Sequence, residues 1–360
     1  MKRLAILMFA LLLVVSAQAS AQSGGDRTLI QATLTRNISL KTGLPENPVI
    51  PGESPVTGLP ISEQKYIPIL VQIDNNLAAI PQWGIADADI MYELPIQGGG
   101  WTRLTALFSD KYPAEAGPVR SARVMHADLR EGWDALLVNY GRQEERGSDL
   151  REALKNYGVN QKGLAIDGIY QQYEKYMPRV RYHMAPHNVS AYVTQLHDLM
   201  VQQGYDFPEK PFRFSDEPRL DGQAAKTITI VHKQNADTKS TFIYDEYEKG
   251  YQRYIVDGAY LDLLKPEQHL TYANVIVQRT RLDYNRSSLN PILPDIISGS
   301  GAADIFIGGR YIAGAWSRAN AQARTVFHDE TGEEIKLNRG KTWIVVADID
   351  TDVSYEGEAN

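Results

Sequence analysis

The sequence predicts an α/β (α+β) N-terminal domain with a mixed sheet, followed by a mostly antiparallel β-rich C-terminal domain. Three observations carry that reading. Between residues 61 and 210, short apolar runs alternate with stretches of helical period, the pattern of strands and helices packed in layers. From 226 to 350 the period becomes two, with Gly-bearing turns between the runs. Between these regions, residues 211–225 are rich in Pro, Asp, Glu and Gly, the composition of a linker.

The chain starts with Lys2-Arg3, an apolar run from Leu4 to Ala17, and the exit Gln18-Ala19-Ser20-Ala21. This is the pattern of a Sec-type signal peptide over residues 1–21, cut after Ala19 or Ala21. The run is short for a bilayer, so no transmembrane span is expected in the mature chain. Loss of Lys2 and Arg3 takes the formal charge from −7 to −9. Such an acidic protein is a poor partner for nucleic-acid backbones or anionic lipid. The absence of cysteine excludes disulfides, thiolate metal sites, a Cys nucleophile and lipid anchoring through Cys. An exported, secreted or extracytoplasmic protein is expected, stabilised by burial alone.

Residues 22–60 are rich in Ser, Thr, Gly, Pro and Asn and predict an extended lead-in, its first half disordered. Ile67 to Ile73, bounded by Pro68 and Asp74-Asn75-Asn76, reads as a buried strand ending at Asp74. Ile90 to Tyr92 is a similar run, closed by Glu93 before Pro95 and Gly98-Gly99-Gly100. From Trp101 the period is two, with Trp101, Arg103, Thr105 and Leu107 on one face. Gly117 to Arg123 predicts a turn feeding a helix that continues through His126 to Trp133, with Ser121 as its N-cap. Ala135–Asn139 and Leu164–Ile166 read as strands, and Asp149 caps a helix ending at Gly158. Tyr170, Tyr173, Tyr176 and Tyr182, with nearby Lys and Arg, read as a half-buried loop. Ser190 starts a helix whose apolar face carries Val193, Leu196, Leu199 and Met200 and which stops at Gly204. The C-terminal runs include 227–232, 242–247, 251–256, 273–282, 304–316, 325–329 and 342–348, with hairpin turns at Lys249-Gly250, Glu330-Thr331-Gly332 and Arg339-Gly340.

Arg120 and Arg123, three residues apart at a helix start, oppose the helix dipole unless an anion sits there. The alternative is that both pair with Asp74, Glu93 or Asp128 as structural bridges. The candidate ligand-binding set is Asp74, Asn75, Glu93, Arg103, Arg120, Ser121, Arg123, His187 and Asn188, most at predicted strand ends or turns, where open α/β sheets bind ligands. Neither a metal site nor a cofactor is predicted. Pro186 breaks the helical spacing of His183 and His187, Gly340-Lys341-Thr342 lacks the first glycine of a P-loop, and no nucleophile elbow surrounds Ser121.

Ordered motifs add a resemblance. IDN at 73–75, Pro81-Gln82, ADADIMYE at 86–93, the Gly-Gly-x-Thr-Arg run ending at Arg103, GPVRSAR at 117–123, APHN at 185–188 and a GAWSR…GKTW segment resemble the YerB-like lipoprotein family over about residues 50–348. That resemblance implies a bacterial envelope protein with N- and C-terminal parts and no established activity. Its members are typically tethered by a lipidated Cys that this sequence lacks. The reading favoured here is a binding module for an anionic envelope ligand, a cell-wall fragment or wall polymer, held in an Arg/carboxylate cleft. One alternative is a cell-wall hydrolase with Asp74 or Glu93 as base and His187 as acid, Arg120 and Arg123 stabilising negative charge. Another is a non-catalytic scaffold or partner-binding protein.

Overall fold

A computed structural model describes residues 27–41, 47–62, 64–97, 100–145, 147–217, 219, 221–232, 239–255, 258–284 and 292–358. The signal peptide over 1–21, the first residues of the lead-in and Gly98-Gly99 lie outside these. No helix of the described residues is long and apolar enough to cross a membrane.

Strands predominate over helices. Among the described residues, one sheet of eleven strands runs, in order, through Gln223–Ala224, Arg310–Arg318, Gly299–Ile307, Asn274–Arg279, Thr342–Ala347, Ile90–Gln97, Trp101–Phe108, Ile69–Ile73, Leu136–Asn139 and Ala165–Asp167, with Val326–His328 paired to Arg310–Arg318. The sheet is mixed. Ile69–Ile73, Leu136–Asn139 and Ala165–Asp167 run parallel to one another, and hairpin neighbours run antiparallel. Thr342–Ala347 lies parallel to both Ile90–Gln97 and Asn274–Arg279. The sheet therefore crosses the predicted domain boundary, and the C-terminal region is not antiparallel throughout.

A second sheet joins Thr28–Leu29, Thr351–Glu356, Thr227–His232, Ser240–Asp245, Gly250–Ile255 and Gly258–Ala259, all antiparallel, with Thr271–Tyr272 alongside Gly250–Ile255. It covers one face of the large sheet, where Trp343 meets Phe242, Tyr260 and Tyr272 edge-on. The other face carries the helix Val124–Trp133, whose Trp133 donates to the Tyr92 hydroxyl at 2.7 Å. Two further α-helices, Leu150–Asn156 and Val193–Gln202, complete the N-terminal part. Asp149 caps the first of these, accepting from the N–H groups of Arg151 and Glu152.

Several expectations need correction. The linker over 211–225 is built into the fold. Arg213–Ser215 pairs with Lys336–Asn338, and Phe212 is buried against Trp133. The described part of the lead-in is extended but held, because Thr28–Leu29 extends a sheet edge and Arg36 reaches the buried Asp304. Arg339-Gly340 joins strands with different partners and is not a hairpin turn, whereas Gly308-Gly309, both at positive φ, turns the longest hairpin. Ser190 does not cap the helix Val193–Gln202. Its hydroxyl accepts from Trp83 Nε1 and donates to Glu115.

Candidate functional site

The three parallel strands Ile69–Ile73, Leu136–Asn139 and Ala165–Asp167 end at one edge of the large sheet, so Asp74, Tyr140-Gly141 and Asp167 come together there. The segment Ala116–Ala122 threads along this edge. Its backbone bonds Arg120 N–H to Gln72 O at 2.9 Å, Tyr140 N–H to Arg120 O at 3.1 Å and Ala122 N–H to Gly141 O at 3.1 Å. These bonds satisfy strand ends that would otherwise be left open, and they carry Arg120 and Arg123 to the carboxyl side of the sheet.

Asp74 is the hub. Its Oδ1 accepts from Arg103 Nη1 at 3.2 Å and Asn76 N–H at 3.2 Å, and its Oδ2 accepts from Arg120 Nε at 2.7 Å. Oδ2 also lies 2.8 Å from His187 Nδ1. Burial alone pushes this carboxyl up, but Arg103, the His187 bond, Arg120 and the Asn76 N–H together outweigh it and hold the pKa below the ordinary value. Asp74 stays ionised and saturated with donors.

The cations around it are not matched. Burial, with repulsion from Arg123 and Arg120, lowers Arg103 to about 10 against the pull of Asp74. Among the described residues, Arg103 Nε is buried without a partner. Arg123 is lowered by burial and by Arg120, and among the described residues its guanidinium donates two hydrogen bonds of 3.3 Å, to the carbonyls of Ser121 and Ala122. Glu145 acts on Arg123 electrostatically without forming an ion pair among the described residues. Arg120 binds Asp74 through Nε alone, and its side chain is 34% exposed. Three guanidiniums thus crowd one contacting carboxylate.

The structure brings Asp74, Arg103, Arg120 and His187 into direct contact and sets Arg123 close by. The other predicted residues serve the frame. Ser121 donates to Tyr140 O at 3.2 Å and does not cap the helix, which begins after Arg123. The Arg123 N–H donates instead to His126 Nδ1 at 2.7 Å. Asn188 ties its own loop, accepting from Arg179 and donating to Val180 O. Asn75 donates to Thr102 Oγ1, which donates to Glu93. Glu93 does not end a strand. It lies within Ile90–Gln97, paired with Leu104, and so faces away from Arg103 on the neighbouring strand position. There it is fully buried, 3.7 Å from His232 of the second sheet.

Two groups escaped the sequence reading. His126 is buried beneath Arg103 and Arg123, and burial, then Arg123 and Arg103, hold it well below its ordinary pKa. Its spacing three residues after Arg123, a side chain closing back on the first turn, was the available signal. Asp167 accepts from Arg142 Nη1 at 2.7 Å and from the Gly141 N–H at 2.8 Å. Its place at the end of a parallel strand was the signal there.

Comparison with known proteins places this geometry in a lineage. Residues 56–206 match the model described as "Protein of unknown function (DUF3048) N-terminal domain", and residues 228–344 match the corresponding C-terminal domain. The chain is 27% identical over 314 residues to "Putative lipoprotein YerB" of Bacillus subtilis strain 168, covering 85% of this chain and 89% of that protein. It is also similar to a crystal structure of YerB from Bacillus subtilis, with a TM-score of 0.69, 22% identity, and coverage of 84% of this chain and 99% of the other. With both family domains present in order and the fold shared, the chain belongs to the YerB-like family of DUF3048 proteins.

Proposed function

We propose that this is an exported bacterial cell-envelope protein that binds, without catalysis, the carboxylate or phosphate of a cell-wall fragment or wall polymer at Arg103, Arg120, Arg123 and His187. The observation that carries the reading is the unmatched charge. Three guanidiniums, two of them largely buried, share one contacting carboxylate, and burial and mutual repulsion depress Arg103 and Arg123. An anion arriving at the exposed side of Arg120 relieves that repulsion through charge-assisted hydrogen bonds. Export is supported by the signal-peptide pattern and by the relative's name.

The hydrolytic alternative needs a carboxylate with a lone pair free for a proton. Asp74 has two donors on each oxygen and a lowered pKa, which makes it a weak base. Glu93 is fully buried on the opposite sheet face, 3.7 Å from His232 and turned away from the side of Arg103 and Asp74.

The test is calorimetric titration of the full chain with lactate, inorganic phosphate and a soluble peptidoglycan digest. One hydrogen bond to a charged group is worth roughly 1.5–3 kcal/mol, so Arg120→Ala weakens anion binding about tenfold or more with little change in Tm. Undiminished binding in both Arg120→Ala and Arg123→Ala overturns the reading.

A further inference from the structure

Beside the arginine cluster, a cleft of about 320 Å³ opens at the carboxyl ends of Leu136–Asn139 and Ala165–Asp167. The backbone carrying Arg120 and Ala122 is hydrogen-bonded to the backbone carrying Tyr140, Gly141 and Gln143, the same stretch that supplies Asn139 and Arg142 to the cleft. Adjacent paired backbones lie about 4.8 Å apart, so the cleft and the segment carrying the arginines are neighbours across one backbone ladder.

The chemistry of the cleft differs from that of its neighbour. Its central cation is fully matched, with Arg142 donating to Glu144 through Nε, to Asp167 through Nη1 and to the Tyr170 hydroxyl through Nη2. Arg151 stands 3.7 Å from Glu144. Among the described residues that line the cleft, no unpaired charge is left to attract an ion. Leu154 supplies an apolar floor and Tyr173 an aromatic wall, and the rim carries Asn160 and Gln172. Among the described residues the side-chain amides of Asn160 and Gln172 have no hydrogen-bond partner, and each both donates and accepts. That combination suits a hydroxyl-bearing ring. Sugar hydroxyls likewise donate and accept, while the weakly positive C–H face of the ring lies against the negative face of an aromatic side chain. A volume near 300 Å³ is at the lower end of small-molecule sites, enough for one ring.

We infer that the cleft lined by Tyr173, Leu154, Asn160 and Gln172 holds a neutral sugar ring whose anionic substituent reaches Arg120 and Arg123. The ligand class is therefore a sugar bearing a carboxylate or phosphate. The inference rests on the anion-binding reading for its second half and on the cleft alone for its first.

Titration of the full chain with N-acetylmuramic acid, N-acetylglucosamine 6-phosphate, N-acetylglucosamine, lactate and inorganic phosphate separates the two halves. The expected result is that at least one charged sugar binds about tenfold or more tighter than its substituent alone. Tyr173→Ala and Gln172→Ala each remove most of that advantage and leave lactate or phosphate affinity in place. Gln172 is exposed, so its variant keeps the fold and the measurement holds if Tyr173→Ala does not fold. Charged sugars that bind no tighter than lactate or phosphate, in a chain that binds those anions, overturn the sugar cleft and leave the anion reading standing. Binding of N-acetylglucosamine with no response to any anion keeps the cleft and removes the anion reading. Silence to all five ligands overturns both.

Discussion

Replacing Asp74 with Ala is the most informative perturbation of the site. The Asp74 side chain is 6% exposed and that of Arg103 is 7% exposed, so neither charge is well hydrated. Removing the carboxylate leaves the Arg103 guanidinium buried without a counter-ion, and its Nε already lacks a partner. Breaking a buried pair on one side costs about 3–5 kcal/mol, a large share of the roughly 5–15 kcal/mol that holds a domain folded. The half-exposed Arg120 adds less, within about 1 kcal/mol, because solvent screens it. Arg103→Met removes the other charge at similar length. Asp74 then keeps Arg120, His187 and the Asn76 N–H, so the loss is about 1–3 kcal/mol. In the double variant the buried Arg103 charge goes together with its partner and only the more exposed Arg120 loses its carboxylate, so it is less destabilised than the two losses added together, by about 1.5–3 kcal/mol. Urea unfolding at pH 7 measures all four proteins, with equal m-values confirming a common transition. A loss under about 1 kcal/mol for Asp74→Ala, or additivity within about 0.5 kcal/mol, refutes the description of Asp74 as the electrostatic hub.

Two other outcomes follow from different parts of the fold. Asp89 is buried, and burial pushes its carboxyl up to about 7 despite the hydrogen bonds from the Ser109 N–H and hydroxyl. A folded pKa above the unfolded one means that this group's contribution is complete below about pH 4 and is lost as pH rises through 7. Asp89→Asn, whose amide oxygen still accepts from Ser109, therefore flattens the fall in Tm between pH 5 and pH 8; an unchanged slope in differential scanning fluorimetry contradicts the assignment. Residues 47–225 expressed alone lose Thr342–Ala347, leaving Ile90–Gln97 as a long apolar edge strand. Such an edge pairs with other chains, so the fragment aggregates on size-exclusion chromatography, and a monomeric, cooperatively unfolding fragment would refute the dependence.

That dependence was the part of the fold least legible in the sequence. Strand positions, the helix Val124–Trp133 and the Asp149 cap followed from local pattern, because period and capping chemistry act over a few residues. Which strand lies beside which is decided by contacts more than 200 residues apart, such as Thr342 beside Ile90. One signal was available. Trp343 to Ala347 is continuously apolar where a half-exposed hairpin strand alternates, and continuity marks a parallel strand covered on both faces. Reading Pro95 as a strand end misplaced Glu93. The strand passes through the proline with a register shift, so Glu93 sits inside the sheet and faces its buried side.

The site itself was partly legible for a reason that also limits it. A polar residue directly after a short apolar run falls at the sheet edge whatever the topology, so Asp74 could be placed from sequence. Whether several such residues share an edge depends on strand direction. Asp74, Asn139 and Asp167 fall at one edge because their strands run parallel, and the unforeseen cleft beside Arg142 arises from the same alignment. Arg120 and Arg123 joined them through a segment that forms no regular strand of its own, held by backbone bonds to Gln72 and Gly141. Charge pattern could nominate those arginines but could not say what neutralises them. Among the described residues the contacts show one saturated carboxylate against three guanidiniums, and that imbalance, absent from a framework of ion pairs that closes its own charges, is what the proposed anion site rests on.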